Sequence, residues 1–178
     1  MNFEQLIVGS LEANCYILKA GKIGLIIDPG DEPEKIINAV TGVEIKLILA
    51  THNHFDHINA LKEVKKSTMS KAAIHPLDWT SEFDLKLGDG QQIEFGQERI
   101  KVIHTPGHTP GGCCFLVSDI LFSGDTLFPG GPGSTSFGGG EQAILSSIRE
   151  KLLILPDKTK VYPGHGPSTT IGQERGLY

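Results

Sequence analysis

Three short apolar runs open the chain, at Phe3–Val8, Ala13–Leu18 and Ile23–Ile27, with turn signals at Gly9-Ser10 and Gly21 between them; they predict strands. Asp28-Pro29-Gly30 ends the third run. Asp31 and Glu34 then have the D-x-x-E spacing of a capping box, for a helix that carries Ile36, Ile37 and Val40 and stops at Gly42. Ile45–Ala50 is apolar apart from Lys46, as in a strand buried on both faces. It leads into Thr51–His57, after which a helix is predicted to about Lys66, with Ile58, Leu61 and Val64 on one face. Ala72–Ile74 predicts a short strand ending at His75-Pro76. Gln92–Phe95 with Arg99–His104, and Cys113–Val117 with Ile120–Ser123, predict two hairpins turning at Gly96-Gln97 and Ser118-Asp119. Gly130–Gly140 is a glycine-rich loop without periodicity, and Glu141–Leu152 is amphipathic, with Ile144, Ile148 and Leu152 in register. Val161–Pro163 is a last short strand opening into Gly164-His165-Gly166. Two strand-rich halves, each followed by helices, predict two packed sheets with helices outside.

Composition narrows the class. A chain of 178 residues fits one domain, 1–178, and buries roughly 70% of its unfolded surface. Hydrophobic residues at 39% and charged residues at 21% are ordinary for a soluble domain. No run approaches the ~18 apolar residues of a membrane span, and Met1–Gly9 contains Glu4 without a basic n-region, unlike a signal peptide. The formal net charge is −5, and Lys65-Lys66 is the only tight basic pair before residue 100. Neither a membrane nor nucleic acid is therefore expected as a partner. Cys15, Cys113 and Cys114 form no disulfide framework, and neighbours on a strand point to opposite faces. They read as buried, reduced thiols of a cytoplasmic protein.

The chemistry concentrates at residues 51–57, Thr-His-Asn-His-Phe-Asp-His, an H-x-H-x-D-H run. Two histidines two residues apart in an extended segment project to one side and can share an ion. Asp56 and His57 follow at the expected start of a helix, where the turn can aim them at a second ion. Three more donors follow at turns after predicted strands: His108, Asp125 and His165, each directly preceded by glycine. Glycine gives the backbone freedom to turn a side chain inward. Imidazole and carboxylate at this density, without thiolate, suit Zn²⁺, Fe or Mn²⁺. Seven such donors exceed the needs of one tetrahedral ion.

The H-x-H-x-D-H run, followed in order by Gly107-His108, Gly124-Asp125 and Gly164-His165, resembles the metallo-β-lactamase superfamily, and Asp28-Pro29-Gly30 matches its early strand end. The resemblance implies an α+β fold, the four-layer αββα sandwich, with the site at one edge of the two sheets. It implies His52, His54 and His108 on a first divalent ion, Asp56, His57 and His165 on a second, and Asp125 bridging. Thr105-Pro-Gly-His-Thr-Pro-Gly, Ser123-Gly-Asp-Thr-Leu-Phe and Tyr162-Pro-Gly-His-Gly-Pro are similar to short glyoxalase II-like hydrolases. Classical glyoxalase II carries a C-terminal helical domain with cationic residues for glutathione, whereas this sequence ends at Tyr178. Gly133-Ser134-Thr135-Ser136-Phe137 stands where many relatives have an arginine-containing run. Both departures argue against glutathione as the carrier thiol and leave the hydrolytic centre intact.

The implied activity is hydrolysis of a small acyl thioester, of the S-lactoylglutathione type, by a hydroxide bridging two ions, most simply Zn²⁺. Asp56 is the expected catalytic residue, orienting the nucleophile. Asp28 and Thr51 are candidates to fix the imidazoles. A mononuclear-iron persulfide dioxygenase, a lactonase and a non-enzymatic metal-binding module remain alternatives. His75 and His104 read as structural, Trp79 as a core or lid anchor, and Gly130–Gly140 as a lid or a crossover.

Overall fold

In a computed structural model, which describes residues 2–136 and 138–178, the strand runs assemble into two six-stranded sheets. The first holds β1 (Asn2–Val8), β2 (Ala13–Ala20), β3 (Ile23–Ile27), β4 (Glu44–Leu49), β5 (Lys71–Ile74) and β6 (Leu85–Lys86), side by side in chain order. The second runs β14-β13-β10-β9-β8-β7, from β7 (Gln92–Phe95), β8 (Glu98–His104), β9 (Cys113–Val117), β10 (Ile120–Gly124), β13 (Lys160–Pro163) and β14 (Thr169–Thr170). The β3–β4, β4–β5 and β10–β13 pairs are parallel, so these strands release the chain at the same end. Between β10 and β13 lies a two-stranded ribbon, β11 (Leu127–Phe128) with β12 (Gly131–Pro132), which takes up the first part of the glycine-rich loop.

Side-chain alternation explains the layering. Along β2, Tyr16 and Leu18 face the second sheet, where they join Leu25, Ile27, Val102, Phe115 and Phe122. Cys15 and Ile17 point the other way, toward Ile36, Leu61 and Val64. Those three lie on α1 (Pro33–Ala39) and α3 (Leu61–Thr68). On the outer face of the second sheet, Cys114, Leu121 and Val161 meet Ile144, Ile148 and Leu152. These belong to α4 (Glu141–Ser147) and the wider π-turns of Ile148–Leu152 that continue it. Helix, sheet, sheet, helix is the expected αββα order. Cys113 and Cys114 sit in different cores, as strand periodicity requires. Among the described residues no helix is long and apolar enough to cross a membrane.

Several expectations need correction. The capping box at Asp31 does not form. Helix α1 starts at Pro33 behind Glu32, which has φ 52° and makes no side-chain cap. Glu32 Oε2 instead accepts from Gly9 N at 3.1 Å and so pins the β1–β2 turn, while Asp31 Oδ1 accepts from Glu32 N at 2.7 Å. The helix after residue 54 is two pieces, α2 (Phe55–Ile58) and α3. Trp79 is no core anchor: it is 38% exposed, with Lys86 Nζ 5.2 Å from its ring centre. The C-terminal β14 and α5 (Ile171–Glu174) had no sequence expectation.

Candidate metal centre

The donors converge because they follow strands that end together. Strand β4 leads into His52–His57, β10 into Asp125 and β13 into His165, while β8 ends at His104 before the loop carrying His108. Parallel neighbours deliver their C-terminal ends to one edge, where open α/β sheets commonly bind ligands. Gly124 is held at φ 49°, and a Cβ there would lie 2.5 Å from Thr51 Oγ1. The two sheets therefore approach at glycine, one residue before Asp125.

Two groups of three donors result, each with ligand atoms within 4.8 Å of one another: His52, His54 and His108, then Asp56, His57 and His165. In the first, His108 Nε2 lies 2.9 Å from His54 Nδ1. In the second, His57 Nε2 lies 3.2 Å from His165 Nε2, and Asp56 Oδ2 is 3.2 Å from His165 Nε2. Asp125 stands between the groups. Its Oδ1 is 3.4 Å from His57 Nε2, and its Oδ2 is 3.5 Å from His108 Nε2. All seven sequence candidates are brought together.

Hydrogen bonds behind the rings set which nitrogen faces the centre. The Thr51 hydroxyl donates to Asp28 Oδ2 at 2.6 Å, so its oxygen accepts from His52 Nδ1–H at 2.9 Å. That leaves the lone pair of His52 Nε2 pointing at its neighbours. His57 Nδ1–H donates to Asp28 Oδ2 at 3.0 Å, His108 Nδ1–H to the Ser134 carbonyl at 2.6 Å, and His165 Nδ1–H to the Leu11 carbonyl at 2.9 Å. His54 alone turns Nδ1 inward. Asp28 also accepts from Thr51 N at 2.7 Å. With its oxygens engaged, Asp28 serves as a brace, although it lies close to His52 and His57. Its φ of 53° is a left-handed conformation that few non-glycine residues adopt.

The electrostatics suit a cation. His52 is held well below its ordinary pKa by burial and then by the neighbouring imidazoles, and His54 is lowered by burial and by His108. Burial pushes His57 the same way, but the hydrogen bond and charge of Asp28, with Asp125 and Asp56, raise it to about 9. Two buried atoms, His52 Nε2 and Asp125 Oδ1, have no hydrogen-bond partner among the described residues. Stranding such acceptors away from water is unfavourable, and one divalent ion beside each would satisfy both. The residues present fit the metals that the fold implies.

Beyond Asp28 and Thr51, and His75 and His104 read as structural, the cluster has supports that sequence reasoning missed. Asp78, buried on the turn after β5, accepts from Thr109 Oγ1 at 2.6 Å and from Gly111 N at 2.7 Å, gripping the loop on the C-terminal side of His108. His75 and His104 stack at 3.9 Å beside it, and His104 Nε2–H donates to the Pro110 carbonyl at 2.9 Å. Asn14 Nδ2 donates to the Pro163 and Gly166 carbonyls at 3.0 Å each, and Tyr16 donates to the Pro163 carbonyl at 2.6 Å. Together these brace the His165 loop. Asn14 gave one signal, a polar residue inside an apolar strand, and Asp78, on a turn, gave none.

A dense set of imidazoles and carboxylates at the edge of an αββα sandwich defines a metal-binding hydrolase class. Residues 8–165 match the metallo-beta-lactamase superfamily, and the chain belongs to it. A probable metallo-hydrolase of Bacillus subtilis, YqgX, is 36% identical, covering 98% of this chain and 95% of its own length. The hydroxyacylglutathione hydrolase GloC of Haemophilus influenzae is 33% identical over the same shares. Among solved structures, TTHA1623 in a di-iron-bound form superposes with a TM-score of 0.85 at 35% identity, covering 97% of this chain and 96% of that one.

Proposed function

We propose that this protein hydrolyses small acyl thioesters at a two-metal centre, the class of substrate that includes the hydroxyacylglutathiones. His52, His54 and His108 would hold one ion, Asp56, His57 and His165 the other, with Asp125 shared. The position of Asp125 carries the reading, since its carboxylate lies within 4 Å of histidines from both donor groups. A di-iron relative and a hydroxyacylglutathione hydrolase support it. Zinc is the proposed native metal, because a set of imidazoles and carboxylates without thiolate suits it. The cytoplasm is the proposed compartment, since all three cysteines are free and buried.

Ions bound here would acidify water and polarise an acyl carbonyl. The rest falls to the chain. Asp56, partly exposed at the pocket wall, orients the attacking water through its carboxylate. Asp28 keeps the His57 ring turned so that Nε2 faces Asp125. The leaving thiol, with an ordinary pKa near about 8.5, departs with little need of a protonating side chain. Metal quantitation coupled to a panel of acyl thioesters, S-lactoylglutathione included, tests the proposal. Two ions per chain with thioester turnover are expected. One iron per chain with sulfite formed from a persulfide would overturn it, as would a fully loaded protein that hydrolyses no acyl substrate.

A further inference from the structure

The pocket that opens on the donor cluster has an apolar wall. Its volume is about 470 Å³, and Leu11, Phe55 and Phe128 line it beside His54, Asp56 and His108. Leu11 is 51% and Phe55 68% exposed, so two large apolar side chains stand in water at its mouth. No lysine or arginine lines it among the described residues. The adjoining cleft shares Leu11, Phe55 and Asp56, and the charge it adds is the carboxylate of Asp31. A glutathione thioester carries two carboxylates and one ammonium group. Here it would meet apolar and acidic surface where its carboxylates need a cation.

We infer that, among thioesters, the pocket selects those with an apolar acyl chain and an uncharged thiol. Leu11 and Phe55 are the specificity-determining residues. The inference rests on the proposed thioester activity and narrows its substrate. In the reaction the acyl C–S bond breaks, a C–O bond to water forms, and the products are a carboxylic acid and a free thiol. Each methylene that leaves water against such a wall is worth about fourfold in affinity. Lengthening the acyl chain should therefore raise kcat/KM until the wall is covered. Leu11 does two jobs with separate atoms: its side chain forms wall, while its carbonyl accepts from His165 Nδ1. Trimming the side chain leaves that hydrogen bond in place.

The test compares acetyl and hexanoyl thioesters of N-acetylcysteamine, which is uncharged, with the same acyl groups on glutathione. The metal-loaded protein is expected to favour the uncharged carrier at least tenfold in kcat/KM, and hexanoyl over acetyl by at least tenfold, rising to about 250-fold where all four added methylenes leave water. Leu11→Ala and Phe55→Ala should each cut the ratio of hexanoyl to acetyl kcat/KM about three- to tenfold. Phe55→Arg should move the carrier preference toward glutathione, and added salt should erase that gain. Equal or better turnover of the glutathione series, or no dependence on acyl length, would overturn the inference. Binding of the non-hydrolysable S-hexyl-N-acetylcysteamine and S-hexylglutathione, followed by calorimetry, gives a readout independent of turnover. If no thioester is hydrolysed, the thioester proposal falls, yet this pair still decides the pocket's preference. Tighter binding of S-hexylglutathione would reject it.

Discussion

The carboxylate of Asp78 accepts a 2.6 Å hydrogen bond from the hydroxyl of Thr109, thirty-one residues away and next to His108. Its other oxygen takes Gly111 N at 2.7 Å. Asp78 thereby fastens the His108 loop to the turn after β5, together with the Ser134 carbonyl on the His108 ring and the Ser147 hydroxyl on the Pro106 carbonyl. Asp78→Ala strands two buried donors and should cost about 2–4 kcal/mol of stability, measured by denaturant unfolding. Metal affinity should fall on the order of 10–100-fold, measured by competition with a chromogenic chelator. An unchanged affinity would remove Asp78 from the site's architecture.

Asp125 and Asp56 should separate. Asp125→Ala removes the carboxylate that faces both donor groups, and metal and activity should be lost together. Asp56→Ala should abolish most turnover while the group of His52, His54 and His108 still retains metal. Elemental analysis beside a thioester assay distinguishes the two. Wild-type turnover in Asp125→Ala would refute the shared role.

Metal uptake should depend on pH with a definite sign. In the metal-free protein His57 is raised to about 9, so below that pH a proton must leave Nε2 before a cation can take its place. Apparent affinity should rise as pH climbs from about 6.5 to about 9, with protons released on binding. The same shift stabilises the metal-free fold fully below the unfolded histidine pKa of about 6.5. That contribution fades as pH rises through about 9. Asp28→Asn removes the charge behind the shift and should flatten both profiles. Calorimetry in buffers of different ionisation enthalpy reads the proton count.

Two glycines two residues apart should respond differently. A Cβ on Gly164 would lie 2.1 Å from Asp125 Oδ1 and 2.7 Å from His57 Cε1, whereas one on Gly166 meets nothing within 4 Å. Gly164→Ala should lose metal with its circular dichroism intact. Gly166→Ala should keep metal and pay only about 1 kcal/mol, for its φ of 69°. Equal metal content in the two variants would contradict the close packing at Gly164.

The thiols should be silent. Burial pushes Cys15 and Cys113 far up and Cys114 to about 11. An Ellman assay at neutral pH should therefore find none of the three reacting in the folded protein and all three after guanidinium unfolding.

The donors were legible because their chemistry is compressed: four fall within six residues, and glycine marks each of the others. Strand positions were legible because β2, β4 and β9 bury apolar residues in short runs bounded by turn signals. Asp28 and Thr51 could be suspected from their places at strand ends. Asp78 and Asn14 could not, because their partners lie 31 and up to 152 residues away. No local pattern encodes a hydrogen bond across that separation. The capping box failed for a related reason. Its spacing was correct, but the Asp31 carboxylate accepts from Glu32 N, Glu32 binds the β1–β2 turn, and Pro33 starts the helix without a side-chain cap.

The β1–β2 hairpin leaves the ribosome well before β13, yet its tip is stitched to the loop that follows that strand, up to 152 residues further on. Ala13 pairs with His165, and Asn14 N donates to the Gly164 carbonyl at 2.7 Å. During synthesis the hairpin must hold its buried polar side chains unsatisfied, or solvated, until Pro163 and Gly166 have emerged. A ribosome stalled before residue 163 would display a nascent chain with the H-x-H-x-D-H run complete and no edge to close it. The full donor set is then complete only once His165 has emerged, and a chelator added before that moment would catch the chain unfastened.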